Sequence, residues 1–265
     1  MLVEFYRLLS SNSSFAKRLI WKNWYQLISK KNRLPNFTFM NYGFINGINP
    51  TLDKFDESNR VFIQLYDKVL SKVSIQNKKV LEVGSGRGGG ANYVAKYLKP
   101  KELIGIDISL NAVQLCNNNN QLENLNFKFG DSENIPFSEN EFDVVYNIES
   151  SHCYGSRKKF TSEVCRVLKN TGYFCWADLC TVNELEEVVQ FVKENNFKII
   201  YSENITLNVL KALDEITETK ETAINNFVPK IIRSTFKDFA GVKNTRVYNS
   251  FNTGQLEYHH LVAQK

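Results

Sequence analysis

The sequence predicts an α/β fold: one mostly parallel sheet beginning near residue 79, with helical segments before it and late in it. From Lys79 onward, short apolar strands alternate with helical segments across short links, a pattern typical of βαβ units. At 265 residues, the chain is long enough for an α/β domain and a cap. We therefore expect an N-terminal helical cap over residues 1–59 and a sheet domain over residues 60–265.

The N-terminal part contains a candidate basic amphipathic helix between Ser14 and Lys31, where apolar residues recur at helical spacing with basic residues between them. Its apolar residues are Leu19, Ile20, Trp24, Leu27 and Ile28. The helix either packs this face on the core, or lies on an anionic membrane or gates the entry of an apolar substrate. Another helix is expected from about Asp56 to Val73, just before the sheet.

The most informative stretch runs from Lys79 to Gly90, where an apolar strand enters a glycine-rich turn. Glycine lets the backbone bend sharply and approach a ligand, and the N–H groups at the start of the next helix can bind an anion. Gly84, Gly86 and Gly89 form the GxGxxG pattern. The turn predicts a nucleotide-type cofactor, but it does not separate a nicotinamide from S-adenosylmethionine (SAM).

The elements that follow continue the alternation and end in a mostly helical insertion. The second strand, Glu102–Asp107, ends in an acidic residue at the distance expected for a carboxylate that holds ribose hydroxyls. The other expected elements are a strand closing on Gly130-Asp131, strand Phe142–Asn147, helix Ser156–Leu168, strand Tyr173–Leu179, helix Asn183–Asn195, strand Phe197–Tyr201, a helical insertion over 205–248 and a last strand Glu257–Ala263.

Four spaced motifs resemble those of the class I SAM-dependent methyltransferases, over roughly residues 60–200. They are the glycine turn, the acidic end of the second strand, Gly-Asp after the third strand and Phe-Asp-x-Val in the fourth. The segments Asn147–Tyr154 and Phe39–Phe44 resemble bacterial lipid and polyketide methyltransferases such as the phthiotriol and phenolphthiocerol dimycocerosate enzymes. The resemblance implies a Rossmann-like sheet whose last strand is antiparallel, with substrate-shaping helices in the N-terminal cap and in residues 205–248.

The resemblance also implies which residues hold SAM: Tyr42, Glu82, Gly84, Ser85, Gly86, Gly88, Asp107, Ile108, Asp131, Ser132 and Asn147. Glu82 and the glycine turn would hold the amino-acid end, and the segment containing Tyr42 would lie over the cofactor. Asp107 would bind the ribose and Ile108 the adenine face, while Asp131 and Ser132 would bind the adenine edge. Two alternatives remain open, because Asp107 could be an ordinary helix N-cap and Asp131 an ordinary turn residue.

His152 is the candidate catalytic base, because a histidine with its usual pKa near ~6.5 can take a hydroxyl proton at neutral pH. Glu149 is the alternative to His152, and its carboxylate could orient His152, contact the substrate or cap the following segment. His152 could instead be a packing residue, since many methyltransferases work by alignment alone. Cys153 follows a histidine and not the proline of the cytosine C5 methyltransferases, so nucleic-acid modification is not favoured.

The composition restricts the cofactors and partners. The net charge of +5 is modest for this length and does not demand nucleic acid. The five cysteines show neither CxxC pairs nor metal-ligand spacing, so we expect free thiols, no metal site and a cytoplasmic location. No apolar run approaches the ~20 residues that span a bilayer. The oligomeric state is left open.

The sequence thus predicts a SAM-dependent methyltransferase for a small lipophilic metabolite of polyketide, lipid or terpenoid type, most simply at a hydroxyl oxygen. Aromatic residues in the two helical additions favour an apolar pocket, although they could form the core of the additions themselves. The alternatives are C-methylation of an alkene or prenyl substrate, with Glu149 stabilising a cation, a noncatalytic SAM-binding protein, and a nicotinamide oxidoreductase.

Overall fold

The computed structural model describes residues 38–47 and 49–265, and elements are numbered within that part. The strands are β1 Lys79–Val83, β2 Glu102–Asp107, β3 Leu125–Phe129, β4 Phe142–Ile148, β5 Leu168–Cys180, β6 Lys198–Asn204 and β7 Glu257–Gln264. The helices are α1 Arg60–Leu70, α2 Gly89–Tyr93, α3 Leu110–Asn119, α4 Arg157–Val167, α5 Val182–Glu194, α6 Thr206–Phe227, α7 Arg233–Phe239 and α8 Arg246–Asn252. The candidate basic helix Ser14–Lys31 lies outside the described residues.

The strands form one seven-stranded sheet in the order β3-β2-β1-β4-β5-β7-β6. β1 to β5 are mutually parallel, whereas β7 runs antiparallel between β5 and β6. The predicted fold class is therefore confirmed, including the antiparallel last strand. The strand order reverses between β1 and β4, and in open α/β sheets ligands bind outside the carboxyl ends of the strands at such a reversal.

Local sequence signals account for several helix starts. The Ser109 hydroxyl accepts a hydrogen bond from the Ala112 amide and begins α3. Thr181 and Glu184 form a reciprocal capping box that begins α5. The parallel strands are apolar on both faces because helices cover both sides of the sheet, and the largest side chains buried there include Trp176 and Tyr146.

Two element boundaries differ from the predicted ones. The helix expected from Asp56 to Val73 is shorter, with a 3₁₀ turn at Glu57–Asn59 followed by α1. β5 begins at Leu168, which pairs with Phe142 of β4, and not at Tyr173. The residues between the expected helix and the expected strand thus form an irregular stretch of strand, where Thr171 takes a positive φ of 70°.

Between β6 and β7 the chain forms α6, α7 and α8, which pack on one another and on the segment before α1. A satellite cluster of Ile224, Val228 and Val242 lies between these helices, with Phe236 against it. Phe236 therefore packs within the helical addition, and Phe227 is largely exposed. None of the helices in the described residues is both long enough and apolar enough to cross a membrane.

Candidate active site

A cleft opens at the carboxyl ends of β1, β2 and β4, where the strand order reverses. Eight residues that the sequence analysis singled out line it: Gly84, Ser85, Gly86, Asp107, Ile108, Asp131, Ser132 and Glu149. The lining also includes residues to which the sequence analysis gave no cofactor or catalytic role, among them Thr38 to Asn41, Tyr66, Arg87, Ser150, Cys153 and Tyr154. The cleft thus joins the glycine turn, the ends of three strands and the segment before α1.

Asp107 holds the glycine turn from the end of β2. Its Oδ2 accepts a hydrogen bond from the Gly86 amide at 2.9 Å, and its Oδ1 accepts one from the Ser109 amide at 2.8 Å. Burial raises the pKa of this carboxyl to about 6, against the effect of these two amides. The side chain that caps α3 belongs to Ser109 and not to Asp107. The carboxyl group therefore fixes the turn, and it also lines the cleft.

The turn requires glycine at two of its positions for different reasons. Gly84 has φ +82°, and a Cβ there would overlap the Ser150 hydroxyl. Gly86 has φ +53° and lies opposite Met40 across the cleft. A side chain at Gly84 would disturb the wall of the cleft, whereas one at Gly86 would enter the space left for a ligand.

Glu82 lies behind the cleft wall rather than on it. Its Oε1 accepts a hydrogen bond from the Tyr66 hydroxyl at 3.2 Å, while Oε2 is buried without a hydrogen-bond partner among the described residues. Burial raises the pKa of Glu82 to about 8. At neutral pH the group is therefore mostly a neutral acid, and a cationic ligand group, reached through Tyr66 or a water molecule, would favour its ionised form. Arg87, a buried guanidinium in the lining, suits a ligand carboxylate.

These features fit SAM, which carries both an ammonium and a carboxylate at its amino-acid end. Arg87 would meet the carboxylate and an ionised Glu82 the ammonium near the glycine turn, and Asp107 would accept hydrogen bonds from the ribose hydroxyls. The sequence analysis did not single out Arg87, although its position between Gly86 and Gly88 in the glycine turn could have indicated a ligand contact.

Besides Glu82, three of the predicted cofactor residues support the cleft without lining it. The Tyr42 amide donates to Glu149 at 2.8 Å, and its ring packs edge-on against Phe251. Gly88 lies beneath the turn, where a Cβ would meet the Cys116 sulfur at 2.9 Å. The Asn147 side-chain amide donates to the Val83 carbonyl at 2.8 Å and to the Ser150 hydroxyl at 2.7 Å, and so ties β4 to β1.

Glu149 forms part of the cleft wall just after β4, in a strained backbone conformation with φ 50°. Its Oε2 accepts hydrogen bonds from the Tyr42 amide and from the Tyr258 hydroxyl at 3.0 Å. Burial raises the pKa of Glu149 to about 7. Three separate segments therefore meet at this carboxyl group, and a strained non-glycine residue held in this way is typical of functional sites.

His152 follows in a 3₁₀ turn, and its ring is fixed from behind by Asp178 of β5. The ring Nδ1 lies 2.7 Å from Asp178 Oδ1, and the His152 amide donates to Oδ2 at 2.9 Å. Burial opposes the imidazolium, but Cys153 and Asp178 raise the pKa of His152 well above its usual value. His152 does not line the cleft, and 20% of its side chain is exposed.

Asp178 is fully buried and its two oxygens are surrounded by donors. Besides His152, the Ser151 hydroxyl donates to Oδ2 at 2.5 Å and the Leu179 amide donates to Oδ1 at 2.9 Å. The Trp176 indole in turn donates to the Ser151 hydroxyl at 2.9 Å. His152 lowers the pKa of Asp178 although burial opposes this, so the carboxylate stays ionised. The sequence analysis did not find Asp178, because it carries no motif of its own.

Comparisons with known proteins agree with this geometry. The methyltransferase domain family matches residues 74–254. Phthiotriol/phenolphthiotriol dimycocerosates methyltransferase of Mycobacterium tuberculosis is 31% identical over 253 residues, covering 95% of this chain and 94% of the relative. Fatty-acid O-methyltransferase of Mycolicibacterium smegmatis is 28% identical over 236 residues, covering 88% of this chain and 85% of the relative.

Solved structures share the fold at low sequence identity. Geranyl diphosphate C-methyltransferase from Streptomyces coelicolor matches with a TM-score of 0.67 and 13% identity, covering 94% of this chain and 97% of that chain. A sarcosine dimethylglycine methyltransferase, described as putative, from Galdieria sulphuraria matches with a TM-score of 0.68 and 14% identity, covering 85% and 93%. The chain therefore belongs to the class I SAM-dependent methyltransferases, in the group that contains the phthiotriol/phenolphthiotriol dimycocerosates methyltransferases.

Proposed function

We propose that this protein transfers a methyl group from SAM to a hydroxyl oxygen of a small lipophilic molecule. The observation that carries the proposal is the His152–Asp178 pair, with an Nδ1 to Oδ1 distance of 2.7 Å, beside a cleft suited to SAM. A histidine fixed by a buried carboxylate is the usual arrangement for removing a proton from a nucleophile.

The residues of the cleft would hold the cofactor. Asp107 would accept hydrogen bonds from the ribose hydroxyls, and Arg87 and Glu82 would neutralise the two charges of the amino-acid end. When bound, SAM supplies a methyl group that is already activated for attack. The protein's remaining tasks are to align the acceptor oxygen and to take its proton.

His152 would take this proton at Nε2, because Nδ1 faces the Asp178 carboxylate. The negative charge of Asp178 stabilises the imidazolium that forms, so proton transfer does not leave an uncompensated charge in a buried place. Because the pKa of His152 is raised, the neutral form that accepts a proton is less populated at neutral pH than the usual histidine pKa would allow, and it gains population as the pH rises. Glu149, held by Tyr42 and Tyr258, would form the acceptor side of the cleft wall.

The names of the relatives support the choice of acceptor. The dimycocerosates methyltransferase and the fatty-acid O-methyltransferase are both named for lipophilic substrates, and the second is named for transfer to oxygen. We carry over to this chain only the lipophilic character and the oxygen acceptor.

Mass spectrometry tests the proposal, with SAM whose transferable methyl group carries three deuterium atoms. Purified protein is incubated with a panel of long-chain alcohols, phenols and prenyl alkenes, and the product is examined for the position of the label. We expect label on oxygen in an alcohol or phenol, and much less with His152→Gln. Transfer to no compound in the panel, despite SAM binding, would favour a noncatalytic SAM-binding protein.

Transfer to carbon is the second candidate. Glu149 favours it, because a buried carboxylate in the cleft wall could stabilise the cation formed when an alkene is methylated. A similarly folded protein is named as a geranyl diphosphate C-methyltransferase. Label on an alkene carbon, with loss of transfer in Glu149→Gln and not in His152→Gln, would select this alternative.

A further inference from the structure

The turn between α6 and α7, residues 227–233, exposes apolar side chains that the protein does not pack. Phe227 is the last residue of α6, and Ile231 lies in the 3₁₀ turn Lys230–Ile232 that leads into α7. Ile231 is 90% exposed and Phe227 is 50% exposed. Other residues fill the satellite cluster between these helices. The two exposed side chains are therefore free to contact another apolar surface.

The α6–α7 turn is also basic. Between Thr222 and Lys237 the chain contains no Asp or Glu, and its basic residues there are Lys230, Arg233 and Lys237. Lys237 pairs with Glu221 of α6. Within the described part of the chain, neither Lys230 nor Arg233 pairs with a carboxylate, and the Arg233 Nε donates to the Val228 carbonyl at 2.8 Å. Two cations without acidic partners thus flank Ile231.

This combination of side chains matches an anionic lipid surface better than other partners. At such a surface, apolar side chains enter the boundary between head groups and acyl chains, while basic side chains meet the anionic head groups. A nucleic acid would attract the cations but would leave Ile231 without an apolar partner. A stable contact with a second protein chain would cover a larger area than one short turn provides.

The α6–α7 turn is connected to the cleft through α7. The carbonyl of Phe239, the last residue of α7, accepts a hydrogen bond from the Tyr42 hydroxyl at 3.0 Å. The Tyr42 amide in turn holds Glu149 in the cleft wall. Because α7 has seven residues, the turn lies roughly 10 Å from the contact with Tyr42. A lipophilic acceptor in a lipid surface at the turn would therefore be close to the cleft.

We propose that the α6–α7 turn docks on an anionic lipid surface, with Phe227 and Ile231 in the apolar boundary and Lys230 and Arg233 on the head groups. The docking places the protein where a lipophilic acceptor is concentrated. It goes beyond the proposed function, and it does not depend on which atom of the acceptor is methylated.

Cosedimentation of the full chain with lipid vesicles tests the docking without SAM or acceptor. The vesicles contain phosphatidylcholine alone or phosphatidylcholine mixed with anionic phosphatidylglycerol. We expect the wild type to bind the mixed vesicles at least ~10-fold more tightly, because each cation near an anionic surface contributes about 5-fold.

Two exposed positions separate the apolar contribution from the charge contribution. Ile231→Ser should weaken binding to the mixed vesicles by at least ~10-fold, because it removes an apolar side chain without changing the charge. Ile231→Leu should keep the wild-type affinity. Lys230→Gln should weaken binding about 5-fold. Urea unfolding of each variant checks that the fold is retained.

Phe55→Ser and Lys54→Gln are the matched controls. Phe55 is 91% exposed, and Lys54 beside it is exposed as well. Acidic residues surround both positions in the sequence, at Asp53, Asp56 and Glu57. An anionic surface should not attract this segment, so both controls should bind the mixed vesicles like the wild type.

Three results would overturn the docking: no preference of the wild type for the mixed vesicles, unchanged binding in Ile231→Ser or in Lys230→Gln, or an equal loss in Phe55→Ser. Self-association in sedimentation velocity that Ile231→Ser abolishes, without vesicle binding, would instead assign the turn to an interface between copies. Absence of methyl transfer with vesicle binding intact would count against the proposed function alone.

Discussion

At the scale of single residues, four buried carboxyl groups near the site have different donors, and the donors suggest their roles. Asp107 is held by backbone amides, which fixes the glycine turn. Glu149 is held by Tyr42 and Tyr258, and Asp178 by His152. Glu82 has an oxygen without a partner among the described residues. A carboxyl group with an oxygen that accepts no hydrogen bond from the protein can still accept one from a charged ligand.

His152→Gln should lower the single-turnover rate of methyl transfer by roughly 10²-fold, because glutamine cannot take the acceptor proton. The affinity for S-adenosylhomocysteine should stay within about 2-fold of the wild type, since His152 does not line the cleft. Rapid-quench kinetics and calorimetry measure the two quantities. A variant with nearly the wild-type rate would assign His152 to packing and leave catalysis to alignment or to Glu149.

The pH dependence should show the effect of Asp178 on His152. The wild-type rate should rise as the pH rises through the raised pKa of His152, because only the neutral imidazole accepts a proton. Asp178→Asn removes a negative charge that favours the imidazolium, so the inflection should move to lower pH. The plateau rate should also fall, because the ring is less firmly held. An unchanged inflection in single-turnover kinetics would show that another group controls the rate.

Asp107→Ala should weaken S-adenosylhomocysteine binding by at least ~10-fold, because it removes the acceptor for the ribose hydroxyls and the anchor of the Gly86 amide. Calorimetry measures the affinity, and urea unfolding separates this loss from a loss of fold. Asp143→Ala is a suitable control, since Asp143 is a partly exposed acid at the opposite end of β4, paired with Lys169. Wild-type affinity in Asp107→Ala would mean that the ribose site lies elsewhere.

At the scale of elements, the site depends on where strands end. β1, β2 and β4 end at the cleft, β5 supplies Asp178 and β7 supplies Tyr258. The strands themselves were readable from their apolar runs and turn residues. The sequence did not show which strands pair with each other, because periodicity identifies a strand without fixing its partner or its register. Asp178 and Tyr258 were missed for this reason, whereas the glycine turn and Asp107 are adjacent in sequence to the strands that mark them.

Gly84→Ala should lower the free energy of unfolding by at least ~1 kcal/mol more than Gly254→Ala does. Both glycines have a positive φ, so both variants carry backbone strain. A Cβ at Gly84 would in addition overlap the Ser150 hydroxyl, while one at Gly254 would meet nothing within 4 Å. Urea denaturation of the two variants gives the difference. Equal losses of unfolding free energy in the two variants would show that the residues around Ser150 can move to make room for the added methyl group without further destabilisation.

At the scale of the whole molecule, the fold class and the family follow from motifs spread along the sequence, and both were predictable. The strand order reverses at β1 and β4, so motifs that are distant in sequence meet at one cleft. The surroundings of Glu149 were less predictable, because they combine the segment before α1 with β7. Tyr42 shows this: its sequence context suggested a cofactor contact, but its amide holds Glu149. Long-range packing of this kind leaves no local pattern in the sequence.

The central claim is that this cleft is built for SAM, and calorimetric titration of the wild-type protein tests it most directly. S-adenosylhomocysteine and NADH are titrated separately under the same conditions. We expect saturable heat with S-adenosylhomocysteine and none with NADH. At ~100 times its dissociation constant, S-adenosylhomocysteine should also stabilise the fold by ~2.7 kcal/mol. Saturable binding of NADH without binding of S-adenosylhomocysteine would contradict the account.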